Sequence, residues 1–185
     1  PVRYRAENWE VPSALEATSI TTDDGLRING WWRPAAKPGQ APTLLGLHGN
    51  AGNLTHRADS LTMFPDSLNV LLIDYRGYGK SQGHPSEDGL YADAEAAYRY
   101  LVDERGIPAR QIIPYGRSLG TAVALDVALR HEVAGLILES PFRSAGAMAH
   151  HMFPVIPAGL LKNQFNNIDR IPDLSVPVLV VHGKK

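Results

Sequence analysis

The sequence predicts an α/β fold, an open and mostly parallel doubly wound sheet entered through an antiparallel hairpin. Three observations carry this. Short apolar, β-branched runs alternate with stretches of helical periodicity, the pattern of buried parallel strands covered by helices. Two runs near the start flank the turn signal Asp23-Asp24-Gly25, which reads as a hairpin. The chain has 185 residues, 44% of them hydrophobic and 20% charged. A chain of this size hides roughly two thirds of its unfolded surface, enough for one core. A single domain over residues 1–185 is therefore expected.

Residues 15–22 and 26–33 form the predicted hairpin. A Pro/Gly-rich connector over 34–42 leads to the first buried strand, 43–47. Runs at 69–74, 111–115, 135–139 and 177–182 give four more. Between them Leu90, Ala94, Ala97, Tyr98 and Leu101 recur at helical spacing behind Ser86, a good N-cap residue. An Ala/Val-rich run over 119–129 gives a second helix, and residues 144–173 are expected to form a small helical cap. In such a sheet ligands bind beyond the carboxyl ends of the strands, so the residues that follow each strand are the ones to inspect.

Composition excludes several classes. A formal net charge of -1 without a Lys/Arg cluster leaves no electrostatic footprint for nucleic acid. With no cysteine there is neither a disulfide nor a thiolate metal site. No apolar run approaches the roughly 20 residues of a membrane span. The sequence starts at Pro1 without an initiator Met, so an upstream anchor stays open, as do cytoplasmic and membrane-associated locations. Oligomeric state is silent.

The strongest chemical signal is Gly116-Arg117-Ser118-Leu119-Gly120, set between a strand and a helix. A nucleophile on a sharp strand-to-helix turn requires small neighbours, and the helix N-terminus favours developing negative charge. Ser118 is the expected nucleophile. His48-Gly49-Asn50-Ala51-Gly52-Asn53 follows strand 43–47 directly. Acyl transfer requires two backbone donors aimed at the oxyanion, one from the residue after the nucleophile and one from this loop. Leu119 and Asn50 are the expected pair, with Ala51 as the neighbouring possibility; His48 reads as a structural residue at the strand end. The run from Asp74 to Gly83, Asp-Tyr-Arg-Gly-Tyr-Gly-Lys-Ser-Gln-Gly, reads as a tight scaffold loop fixed by Asp74 or Arg76.

Taken in order, "LHGNAGN", "LLIDYRGYGKSQG", "YGRSLG", "LILESPF" and "PVLVVHG" resemble the α/β-hydrolase family, in particular its Bem46-like and depalmitoylase-related branch of serine hydrolases. The likeness runs from about Thr18 onward. It implies hydrolysis of an ester, thioester or amide of a small-molecule acyl substrate through an acyl-enzyme on Ser118, with the oxyanion held by Asn50 and Leu119, a reaction that needs no metal or organic cofactor.

In that branch the strand matching 177–182 is followed by His-Gly-x-x-Asp, whose Asp orients the catalytic His. Here the sequence reads His182-Gly183-Lys184-Lys185. The expectation is that the triad acid and base, with the last strand and helix, are absent from this chain and come from a longer protein or a second polypeptide, which leaves strand 177–182 an unpaired edge with its apolar face exposed, an aggregation hazard. Losing the base costs on the order of 10⁶ in turnover, so the chain alone is expected to be nearly inactive. Glu139, at the end of strand 135–139, and the pair His150-His151 are weak substitutes. His182 reads as structural in a buried strand, Asp169 and Asp173 as turn or cap residues. The run 152–157, Met-Phe-Pro-Val-Ile-Pro, reads as an apolar lip or as packing of the cap. A non-catalytic binding or scaffold protein on the same fold is the alternative reading.

Overall fold

The computed structural model describes residues 11–37, 39–57, 64–147 and 163–183. Strands β1 (Glu16–Thr21) and β2 (Arg27–Arg33) pair antiparallel in the register Ile20 opposite Ile28. The turn between them closes on Gly25 at φ 79°, with the Leu26 N–H donating to the Thr22 hydroxyl at 3.1 Å. This is the predicted hairpin, shortened by one residue at three of its four ends.

The chain then forms β3 (Thr43–Leu47), β4 (Asn69–Asp74), α1 (Glu87–Arg99), β5 (Ile112–Arg117), α2 (Leu119–Arg130), β6 (Leu136–Glu139) and β7 (Val178–Val181). The seven strands lie in the order β1-β2-β4-β3-β5-β6-β7. β2 pairs antiparallel with β4, and all later pairs are parallel. β5 runs two residues further than the sequence pattern suggested, so Arg117 is still in the ladder and Ser118 is the first residue out of it.

Helix α1 starts where its cap predicts. The Ser86 hydroxyl accepts the Gly89 N–H at 3.1 Å, and Glu87 and Asp88 favour the positive end of the helix. Leu90, Ala94, Ala97, Tyr98 and Leu101 all turn inward and are buried. The helix passes into one π turn, Tyr100–Glu104, where the Arg105 N–H reaches the Tyr100 carbonyl at 3.0 Å. Both α1 and α2 pack on the same sheet face, in a cluster with Leu45, Leu47, Ile73 and Ile112. A second cluster, Trp31, Leu44, Leu54, Val70 and Leu72, lies on the other face, flanked by Ile113, Tyr115 and Ile137. Each fully buried Leu or Ile contributes about 1.5–3 kcal/mol. The sheet is therefore held from both sides, and its strand ends are fixed relative to one another.

One expectation is corrected here. Strand β7 is paired only to β6 and forms the sheet edge; Val178, Leu179, Val180 and Val181 are 40–56% exposed. His182 lies beyond the strand and is exposed, with its Nδ1 donating to the Gly183 carbonyl at 3.1 Å. The exposed apolar edge is as expected, and the corrected reading is that of His182 as structural in a buried strand: burial depends on what packs against a strand, and among the described residues nothing covers this one.

The two ends of the predicted cap meet. The Ala145 N–H donates to the Gln164 carbonyl at 2.8 Å, and the Glu87 side chain accepts the N–H groups of Gln164 and Phe165 at 2.7 and 3.0 Å. Residues 148–162, which include His150, His151 and the run 152–157, lie outside the described residues. Asp169 accepts from the Asn166 amide at 2.6 Å, and Asp173 closes the 3-10 turn Ile171–Asp173. Among the described residues no helix is long and apolar enough to cross a membrane.

Candidate active site

Ser118 stands at φ 51°, ψ -116°, between the last residue of β5 and the first of α2. That region costs a non-glycine residue of order 1–3 kcal/mol and persists only when the surroundings over-determine it. They do so here. The Ser118 N–H donates to the Glu139 carbonyl at 2.9 Å, and its own carbonyl accepts the Thr121 N–H at 2.9 Å and the Thr121 hydroxyl at 2.6 Å.

The flanking glycines work differently from the simplest sequence argument. Neither adopts a positive φ; the strain sits on the serine itself. They supply room instead. A Cβ on Gly116 would lie 2.2 Å from the Gly120 carbonyl oxygen, and one on Gly120 would lie 1.9 Å from that of Leu47. The pentapeptide thus lets α2 start directly against the end of β3, and it delivers the loop after β3 to the same point. A Cβ on Gly49 would lie 3.3 Å from Ser118 Cβ and 3.9 Å from its Oγ.

Three consecutive carbonyls of that loop are tied down. Tyr75 donates its hydroxyl to His48 O at 3.1 Å, His48 Nδ1 donates to Gly49 O at 2.7 Å, and the Tyr78 hydroxyl faces Asn50 O at 3.3 Å and Asn50 Oδ1 at 2.8 Å. In a trans peptide the N–H points opposite to the preceding carbonyl. Fixing Gly49 O therefore fixes the direction of the Asn50 N–H, and fixing Asn50 O fixes that of Ala51. Leu119 is the first residue of α2, so its N–H is one of the donors a helix leaves without an internal partner.

His48 is buried, its ring tilted against Tyr75 and edge-on to Tyr78 with centroids 4.5 and 5.2 Å away. Its Nε2 lies 3.4 Å from Asp74 Oδ1, which also accepts the Leu54 N–H at 3.0 Å. Asp74 is thereby committed to the loop. Arg76 fixes the same region through other partners: its Nε and N–H meet the two Asp93 oxygens at 2.9 and 2.7 Å, and its guanidinium forks onto Asp24 at 2.9 and 3.1 Å. Burial pushes the Asp93 carboxyl up, against the pull of Arg76, whereas the Arg76 hydrogen bond holds exposed Asp24 below its usual range. Gly77, Gly79 and Gly83, at φ 78°, 49° and 78°, make the turns of this loop. Composition identified it as scaffold, but not that its two tyrosine hydroxyls hold the neighbouring loop.

A cavity of about 270 Å³ lies on the sheet face opposite α2, lined by Leu54, Phe64, Leu72 and Tyr115 among others, with Arg57, Arg117 and Glu139 at its polar side. Burial, and then the charge of Arg117, push the Arg57 guanidinium below its usual value. Burial and then the bond to Glu139 raise the Tyr115 hydroxyl. Four described histidines meet groups other than Ser118: His48 bonds Gly49 with Asp74 3.4 Å from its Nε2, His56 meets Asn53, His131 Glu95 and His182 Gly183.

A strained serine at a strand-to-helix turn, in a mixed sheet of this order with a pinned glycine-rich loop beside it, is the architecture of a serine-hydrolase-type α/β protein. The profile of the family described as serine aminopeptidase, S33, matches residues 42–169, and the chain belongs to this family of α/β-hydrolases. It is 40% identical over 166 residues to the uncharacterized protein Rv2307c of Mycobacterium tuberculosis, covering 89% of this chain and 59% of that protein. It is 36% identical over 182 residues to the human alpha/beta hydrolase domain-containing protein 17B, covering 95% and 62%. Among solved structures, an α-β hydrolase from Vibrio vulnificus superposes with a TM-score of 0.78 at 26% identity, over 91% of this chain and 63% of that one. The Pyrococcus furiosus esterase Pf2001 shares the fold with a TM-score of 0.74 at 22% identity, over 95% and 74%. The chain spans about 60% of the length of the curated relatives it matches.

Proposed function

We propose that the protein to which this chain belongs is a serine hydrolase that cleaves an ester, thioester or amide through an acyl-enzyme on Ser118. The observation that carries this is the backbone of Ser118 at φ 51°, held there by Glu139 and Thr121. A protein freed from catalysis has no use for a strained serine turn, which weighs against a binding or scaffold role. In the reaction the Ser118 hydroxyl attacks the acyl carbon, and a general base takes its proton. The carbonyl oxygen becomes an oxyanion that the N–H groups of Asn50 and Leu119 stabilise, the first aimed by the tie on Gly49 O and the second by the start of α2. The leaving alcohol, thiol or amine takes the proton back, and water then releases the acid by the same route. The base and its orienting acid are proposed to come from sequence beyond this chain, as in the branch its motifs resemble.

The test is labelling of the full-length gene product with a fluorophosphonate, followed by peptide mapping. An adduct on Ser118, lost in Ser118→Ala, is the expected result. A folded full-length protein that takes no label at Ser118 overturns the proposal.

A further inference from the structure

Glu139 touches the nucleophile turn three times. Its carbonyl accepts the Ser118 N–H at 2.9 Å, its Oε1 lies 3.2 Å from Arg117 Nε, and its Oε2 accepts the Tyr115 hydroxyl. Tyr115 and Arg117 are two apart on β5, so their side chains leave the same sheet face, and Glu139 is directly opposite Arg117 in the ladder. That rung is the last one between β5 and β6. Immediately afterwards both strands turn: Ser118 goes to φ 51° and Ser140 to φ 52°. The Ser140 N–H donates to the Val181 carbonyl at 2.8 Å, at the end of β7. One residue therefore joins the nucleophile turn to the neighbouring strand ends.

We propose that Glu139 is a positioning residue for Ser118, clamping the nucleophile turn from its main chain and its carboxylate at once, so that it governs turnover rather than substrate affinity. This rests on Ser118 being the nucleophile. The strained turn must be held by its surroundings: Thr121 holds its carbonyl from the helix side, and on the strand side, where the backbone ladder ends, the support comes from Glu139. Both carboxylate oxygens face donors on the sheet face of Tyr115 and Arg117. The group's role is thus distinct from that of an acid orienting an imidazole. A displacement of about 1 Å at a reacting group can cost on the order of 10²-fold in rate, which is the lever such a clamp controls.

The experiment compares wild type, Glu139→Gln, Glu139→Ala, Tyr115→Phe and the double variant E139A/Y115F in the full-length protein. It measures steady-state hydrolysis of a short p-nitrophenyl ester, the rate of fluorophosphonate labelling, and thermal melting. The expected result is a fall in kcat of about 10–100-fold for Glu139→Ala with KM within about twofold. Glu139→Gln should be intermediate, since the amide keeps an acceptor for Tyr115 but loses the charge that holds Arg117. The double variant should be no slower than Glu139→Ala alone. Wild-type protein that takes no label at Ser118 overturns the hydrolase reading, and this inference with it. A labelled wild type beside a folded Glu139→Gln with unchanged kcat, or with a change confined to KM or to melting temperature, overturns the clamp alone.

Discussion

The backbone of Leu47 passes so close to Gly120 that a Cβ there would sit 1.9 Å from the Leu47 carbonyl oxygen. The obstacle is main chain in the centre of the sheet, so no side-chain rotation can relieve it. Gly120→Ala is expected to destabilise by about 3 kcal/mol or more. Urea unfolding followed by circular dichroism measures this, and a loss below about 1 kcal/mol would show that α2 is free to shift.

Ser118 offers the opposite sign. Its φ of 51° is unfavourable for serine and acceptable for glycine. Ser118→Gly is expected to stabilise the fold by about 0.5–1 kcal/mol while abolishing fluorophosphonate labelling of the full-length protein. A destabilised Ser118→Gly would mean that the side chain holds the turn rather than suffers from it.

Tyr78 tests the support of the loop proposed to hold the oxyanion. Its hydroxyl meets Asn50 twice, while its ring packs against His48 and Tyr75. Tyr78→Phe keeps the ring and removes the tie. A fall in kcat of about 5–10-fold with little change in KM is expected in the full-length protein. Equal kcat in the two proteins would remove Tyr78 from the site's support.

The pair Asp24–Arg76 predicts a pH dependence. The Asp24 carboxyl is held below its usual value of 3.8, first by the Arg76 hydrogen bond. A depressed folded-state pKa contributes stability that is present above the unfolded value and lost as pH falls through the folded one. Asp24 is exposed, so the effect is small. Asp24→Asn is expected to melt slightly below wild type at pH 7, with the gap closing as pH falls below 3.8. A gap that persists at lower pH would assign it to the turn geometry.

Leu179 and Val180, 56% and 54% exposed on the edge strand, are expected to make the 185-residue chain self-associate when it is produced alone. Leu179→Lys should lower light scattering and raise the monomer fraction of the 185-residue chain. Unchanged scattering would place the contact elsewhere.

Much of this site is readable in one dimension because its parts are local. The hairpin is announced by Asp23-Asp24-Gly25, α1 by Ser86 and its apolar spacing, and the serine turn by five adjacent residues whose types the geometry demands. Glu139 was readable only as a weak substitute acid; its contact with the serine turn escaped because it lies in a cross-strand register with Arg117, twenty-two positions away in sequence, which no local pattern records. Tyr75 and Tyr78 escaped because a tyrosine in a Gly-rich loop carries no mark of which carbonyl its hydroxyl will meet. The apolar edge at β7 was legible from the motif order, but His182 was misread as part of a buried strand, since hydrophobicity states a preference for burial, not the presence of a neighbour.

The sequence by itself determined the alternation of strands and helices, the serine at a turn that only small neighbours allow, and the loop whose residue types suit an oxyanion. These follow from short-range sterics and periodicity. Only the tertiary structure decided that the serine bears the backbone strain while the glycines give clearance, that two tyrosines from one loop tie carbonyls of another, and that Glu139 meets the turn through both its main chain and its carboxylate. Those relationships depend on strand order and register, which arise when distant segments bury their apolar faces together.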